Sequence, residues 1–259
     1  MMRFAAVLFC CTCAGAAAAP TVFVDEMTWP EVRAAMAGGK TVAIVPAGST
    51  EQNGPHMVLG RHNIVARHVA GRIAERLGNA LVYPVLPFAP TGDVAARSGH
   101  MAYPGSVSLS EATFAAVVRD VAVSAAAAGF RHVVLMGDHG GGQDGLRRLA
   151  QQLDADRASG VRFHYAPDPY FKAAEQVRSH MARLGLPPGA HAGIPDTSEA
   201  MALDPQSRWV RRDRLAPGGA GTGVDGDPRR ASADLGEIYL GIKIDAGVAQ
   251  IGRLVGTAR

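Results

Sequence analysis

His132-Val133-Val134-Leu135-Met136 runs without a break into Gly137-Asp138-His139-Gly140-Gly141-Gly142, and a helical pattern from Leu146 to Leu153 comes after it. A short apolar run rich in β-branched residues reads as a buried strand, and the glycines that end it let backbone come close to whatever the loop holds. Upstream, Thr41-Val42-Ala43-Ile44-Val45-Pro46 repeats the design, closing at Ala47-Gly48 before a polar segment that reaches Asn63. Ile64 to Leu77 then sets Val65, Val69, Ile73 and Leu77 at helical spacing. Ala80 to Leu86 and Val161 to Tyr165 read as two further strands. Ser110 with Thr113 opens an Ala/Val helix through Ala128, and Gly129 stands where a helix C-terminal glycine belongs. Ala231 to Leu254 is a last helix, after a Pro/Gly-rich ordered loop from Leu215 to Pro228. Strands alternating with helices predict an α/β fold, a parallel sheet covered by helices. In such sheets ligands gather beyond the carboxyl ends of the strands, so segments 48–63 and 137–143 are expected to meet at one rim.

The 259 residues are 47% hydrophobic and 19% charged, with 26 Lys+Arg against 23 Asp+Glu. This excludes a disordered tail, a coiled coil and a multi-pass membrane protein. The basic excess is small and spread out, so nucleic acid is not an expected partner. Residues 1–19 read as a signal peptide: Met1-Met2-Arg3 gives a positive end, Phe4 to Thr12 is apolar but too short to span a bilayer, and Ala16 to Ala19 suit a signal peptidase. The expectation is an exported chain, periplasmic or secreted, with residues 20–259 as one domain and no membrane span after cleavage. Cys10, Cys11 and Cys13 all lie in the signal segment, which leaves the mature chain no thiol chemistry. A lipid-modified cysteine is the minor alternative.

Three segments concentrate chemistry. Glu51, Asn53, His56, His62 and Asn63 share one loop, which is ligand chemistry for zinc or manganese rather than calcium. His139 sits among glycines, and His191 to Glu199 adds a histidine, Asp196 and a glutamate. Plainer readings stand beside these. Glu51 can cap a turn, His62 can be a solvated loop residue, and Asn63 is placed to cap the helix at Ile64. Asp196 with Glu199 fits a capping box.

In these segments the chain resembles the creatininase family of metal-dependent amidohydrolases. That family carries Glu-Gln-His-Gly-Pro-His closed by Asp, then Asn-Gly-His-Gly-Gly-Asn after a strand, then His-Ala-Gly-x-x-Glu-Thr-Ser. Glu51 to His62, Gly137 to Gly142 and His191 to Ser198 match in order. His100 to Ser106 and Gly226 to Ala231 match two weaker motifs. The resemblance implies a three-layer α/β/α sandwich with a mostly parallel central sheet, a divalent metal, a small-molecule substrate, and a homo-oligomer. It implies hydrolysis of a small amide or other non-peptide C–N bond by water that the metal activates.

The departures are as informative. Asn53 stands where the family has a metal-binding His, and His62 where it has the Asp that bridges two ions. A carboxylate can bridge; a neutral imidazole has one lone pair and cannot. One ion per chain, zinc or manganese, is therefore expected at Glu51, His62 and His139, with Asp196 as a fourth ligand. His191 is the expected catalytic general acid. Asp138 is expected to orient His139, and Gly140 and Gly141 to hold a developing oxyanion. Tyr103, Ser106 and Gln143 are candidate substrate contacts, and Asn53 a residue next to the ligands. His56 is expected to be structural. Gly141 replaces a carboxylate of the dinuclear creatininase, so creatinine itself is not expected as substrate. The alternative is a non-catalytic periplasmic small-molecule-binding protein on the same fold. A metallopeptidase of the His-Glu-x-x-His type lacks its motif.

Overall fold

The computed structural model describes residues 21–155 and 160–256. The expected signal peptide lies outside them. Four parallel strands, β1 (Val42–Ala47), β2 (Ala80–Val82), β3 (His132–Gly137) and β4 (Arg162–Tyr165), form one sheet in the order β2-β1-β3-β4. Alternation along β1 divides the core in two. Ala43, Val45 and Ala47 face a cluster with Phe114, Val118, Leu146 and Leu149, from α3 (Glu111–Ala128) and α4 (Gln143–Ala155). Val42 and Ile44 face Val65, Val69, Leu240 and Ile244, from α2 (Arg61–Leu77) and α7 (Ala233–Leu254). Both faces of the sheet are thus dry, as an all-parallel sheet requires, and the three layers are those the family resemblance implied.

Local chemistry sets the helix ends. Ser110 Oγ accepts the Thr113 amide at 3.1 Å, and Gly129 closes α3 at φ +106°. α1 (Trp29–Ala37) begins at Thr28, whose amide and hydroxyl both bond Glu31. α2 starts three residues earlier than its apolar spacing suggests, after Gly60 rather than Asn63. Asn63 lies inside the first turn and donates to Thr50 Oγ1 at 3.2 Å, so it is not the cap. α5 (Phe171–Arg183) and α6 (Ile194–Ala202) complete the helices. At Gly236 in α7 a Cβ would stand 1.9 Å from Ser198 O, so the missing side chain lets α7 lie directly against α6. No helix among the described residues is long and apolar enough to cross a membrane.

β1 leads to β2 on one side of the sheet, and the chain then returns to place β3 on the other side of β1. That reversal makes the crevice at the ends of β1 and β3 the switch point where α/β sheets bind ligands. Ala47 pairs with Gly137 in register, so the loops after both strands leave at the same height.

Candidate metal centre

At the switch point Glu51 is fully buried, and its carboxylate meets two imidazoles: Oε2 lies 2.7 Å from His139 Nε2 and Oε1 3.2 Å from His62 Nε2. The two polar segments therefore converge as the sequence suggests. Asp138 Oδ2 holds His62 at Nδ1, 3.0 Å away, so in the neutral ring the proton sits on Nδ1; Nε2 then lies 3.2 Å from Glu51 Oε1 and 2.7 Å from Arg61 Nη2, a donor that a metal ion bound there would displace. The Asp138–His62 pair is the carboxylate–imidazole arrangement that orients metal-binding histidines. Asp138 thus orients His62, not His139 as expected. His139 is set instead by Gly141, whose amide lies 3.0 Å and carbonyl 3.3 Å from Nδ1. Although His139 Nε2 is near, it aims no N–H at Glu51 Oε2, which has no properly aligned donor. The ligand-type atoms of Glu51, His62 and His139 all lie within 4.8 Å of one another, close enough to share one cation. Burial pushes the Glu51 carboxyl up, but the His139 and His62 imidazoles hold it well below the usual carboxylate range.

A second group, Glu51 with His100 and His191, also brings its ligand-type atoms within 4.8 Å of one another. Sequence reasoning placed His100 in a matching motif but gave it no role. Gln52 decides the chemistry of both rings. Its carbonyl accepts from His191 Nε2 at 2.9 Å, leaving Nδ1 open to the cavity, 4.0 Å from Glu51 Oε1. Its side-chain oxygen is taken by the Gly54 amide at 2.8 Å, so its NH2 donates to His100 Nδ1 at 3.1 Å. The neutral His100 ring then carries its proton on Nε2, toward Glu51 Oε1 at 3.6 Å. Of the two groups, the first is the more deeply enclosed: Glu51, His62 and His139 are all buried, whereas His100 and His191 are partly exposed. Burial lowers the pKa of both His100 and His191, which favours neutral rings.

A sequence profile of the creatinine amidohydrolase family matches residues 25–251. The chain belongs to the creatininase family. A creatinine amidohydrolase of Pseudomonas putida is 38% identical over 119 residues, which span 46% of this chain and 45% of that relative. A mycofactocin precursor peptide peptidase of Mycobacterium ulcerans is 28% identical over 247 residues, 87% of this chain and 86% of the relative. Among solved structures, one described as creatininase Mn aligns with a TM-score of 0.74 at 27% identity, covering 91% of this chain and 99% of the other. A mutant creatininase of Zn-Zn type aligns at 0.71 and 25% identity, with the same coverage. Creatininase-family members are hydrolases that use metal, and this chain has the ligand groups to hold one.

The family's departures have structural consequences here. A Cβ at Gly141 would lie 1.8 Å from Pro90 O, so no side chain, carboxylate or other, fits at that position. Asn53 turns away from the centre, and its amide donates to the carbonyls of Glu51 at 2.9 Å and Val58 at 3.3 Å, bracing the loop. Asp196 lies outside both ligand groups among the described residues. Its Oδ1 lies 3.3 Å from Arg61 Nη1, and its Oδ2 accepts the Ala192 amide at 2.8 Å, so it serves the start of α6 and a buried guanidinium. Ser106 and Gln143, expected to touch substrate, brace loops: Ser106 Oγ accepts the Gln52 amide at 3.0 Å, and Gln143 donates to His139 O at 2.8 Å. Tyr103, Gly140 and Gly141 do line the cavity. His56 is structural as expected, fully buried with Nε2 3.0 Å from Thr197 Oγ1.

Sequence reasoning missed the charges behind the centre. Lys243 Nζ lies 2.9 Å from Asp138 Oδ1 and 2.8 Å from Glu199 Oε2. Arg61 Nη1 lies 3.5 Å from Glu199 and 3.8 Å from Asp138, besides its contact with Asp196. Both lysine and arginine are nearly buried, as are Asp138 and Glu199. Their signal was faint but present. Lys243 is one of three lysines in the chain, and it falls three residues after Leu240 and four after Tyr239, on the buried stripe of α7.

Proposed function

We propose that this protein is a metal-dependent hydrolase of an amide C–N bond, holding one divalent ion between Glu51, His62 and His139. The observation that carries the reading is the convergence of that buried carboxylate with two imidazoles at the switch point, one of them oriented by Asp138. Zinc or manganese bound there would polarise the substrate carbonyl and acidify a water.

The chain's own residues supply the rest. His191, neutral and open at Nδ1, is placed to accept a proton there from the attacking water and return it to the leaving nitrogen. Its position is held on both sides: His191 pairs with Asp225 of the 215–228 loop, and Ala192 takes φ +53°, a conformation that non-glycine residues rarely adopt. Because the Gly141 amide is committed to His139, the Gly140 amide is the better donor to a developing oxyanion.

A non-peptide bond in a small molecule is the first reading of the substrate. A second is favoured by size, since the cavity measures about 1040 Å³, the top of the range for small-molecule sites. A single small ring would leave most of it to solvent. Exposed Arg178 and Asp225 on its lining suit an extended substrate with charged ends, and the peptidase relative supports the same view. Export and homo-oligomer formation belong to the proposal as well. The test is a panel of cyclic amides, linear amides and short peptides, followed by mass spectrometry with and without chelator. Chelator-sensitive cleavage supports a hydrolase, and the cleaved class decides between the substrates. No cleavage together with no metal uptake favours the binding-protein alternative.

A further inference from the structure

Behind the candidate centre three carboxylates, Asp138, Asp196 and Glu199, share two side-chain cations, Arg61 and Lys243. Asp138 is the joint between this cluster and the metal ligands. Its Oδ2 fixes His62, while its Oδ1 belongs to Lys243. Glu199 Oε2 is shared by Lys243 and Arg61. Buried carboxylates in such numbers persist only when compensated, and a metal ion or a protein cation can do it. Here the protein cations already touch the oxygens that a second ion would use, and a divalent ion brought beside them would meet two like charges in a poorly screened interior.

Resting on the one-ion reading above, we propose that Lys243, assisted by Arg61, supplies as a fixed side chain the positive charge of a second metal ion, and that removing it opens a divalent-cation site between Asp138 and Glu199. The ammonium sits within 2.9 Å of an oxygen from each carboxylate. Lys243→Ala vacates that volume, strips Asp138 Oδ1 of its cation and leaves Glu199 Oε2 with Arg61 alone, 3.5 Å away. An all-oxygen pair of this kind suits Mn2+, with water completing the shell.

The experiment counts Mn2+ bound to metal-stripped full-length chain, by elemental analysis and by the paramagnetic signal of free Mn2+. The wild type is expected to hold one ion and Lys243→Ala two. Lys243→Ala/Glu199→Gln, which removes half of the opened site, is expected to return to one. Lys243→Gln keeps a hydrogen-bond donor between the carboxylates and so guards against a folding failure; it must also gain an ion, more weakly held. The melting temperature of Lys243→Ala is expected to rise more on Mn2+ addition than that of the wild type. One ion in the wild type and still one in both Lys243 variants overturns the proposal and leaves the one-ion reading standing. Two ions in the wild type overturn both.

Discussion

Two histidine clusters lie on the same sheet and differ in what surrounds them. Beyond the carboxyl ends of β1 and β3, His62 and His139 face Glu51, and Asp138 backs His62. On the strands themselves, His132 at the start of β3 and His164 within β4 stack with Nδ1 and Nε2 3.1 Å apart, beside Arg131 and Arg162. Asp154, the nearby carboxylate, is held by Arg162 at 2.8 Å. In the first cluster burial and Arg61 push His62 down, but Asp138 and Glu51 more than offset them and raise its pKa. In the second, burial, with His132 adding to it, lowers His164 to about 4. A pair of rings sharing one hydrogen bond needs a neutral acceptor, whereas rings backed by carboxylates tolerate positive charge, be it a proton or a metal. The imidazoles are alike; the carboxylates make one cluster a candidate centre.

The direct way to break this comparison is to remove the shared carboxylate. Glu51→Ala is expected to reduce bound metal to background and activity by at least about 100-fold, beyond what loss of an orienting residue alone costs. Elemental analysis checks it, and an ion retained by the histidines alone would show that carboxylates do not set the two clusters apart.

The second cluster gives a pH signature. The folded His164 pKa of about 4 lies below the ordinary 6.5, so between those values the unfolded chain binds the proton and the folded chain resists it. Stability from this group is complete above pH 6.5, falls as pH drops toward 4, and changes no further below that. The loss is about 3 kcal/mol. Urea titrations across that range are expected to show the slope in the wild type and to lose much of it in His164→Gln.

Asp138 sharpens the contrast at smaller scale. Asp138→Ala frees His62 Nδ1 and is expected to weaken metal binding roughly 10- to 100-fold, while Asp138→Asn, whose oxygen still accepts from the ring, costs less. Equal losses would assign Asp138 a purely electrostatic role, since the two variants remove the same charge.

How much of this the sequence discloses depends on the kind of signal. β1 and β3 are legible because their apolar runs stop at glycine-bearing loops, and the meeting of Glu51 with His139 follows from sheet topology. α3 is legible at both ends through Ser110 and Gly129. α1 packs only the partly buried Val32, Ala35 and Met36 against the core, a short stripe that is easily overlooked, although Thr28, Pro30 and Glu31 mark its start. α5 keeps Ala173, Val177 and Met181 at fourfold spacing, a pattern that charged neighbours dilute. The charge cluster is hidden for a physical reason: arginine and lysine usually mark solvent, and only pairing from distant segments makes burial of Arg61 and Lys243 tolerable. Those partners come from the loop after β3 and from α6, so local sequence near either cation does not announce them. His62 misleads differently. With Gly60 as the cap, it joins the first turn of α2 and is held in place by helical backbone rather than by a loop.

The last test separates the two causes acting on His164. Burial is the larger and the positive charge that His132 can carry is the next, with Asp154 acting in the opposite sense and Arg162 adding a further lowering. His132→Gln keeps a polar neighbour for His164 Nε2 but cannot become charged. The His164 pKa is therefore expected to rise but to stay below 6.5, because burial, the larger cause, remains. Proton NMR of the ring against pH reads it directly. A full return to 6.5 would mean that the neighbour and not the interior depresses this histidine. The contrast between the clusters would then be one of charge repulsion on one side and charge compensation on the other, with burial common to both.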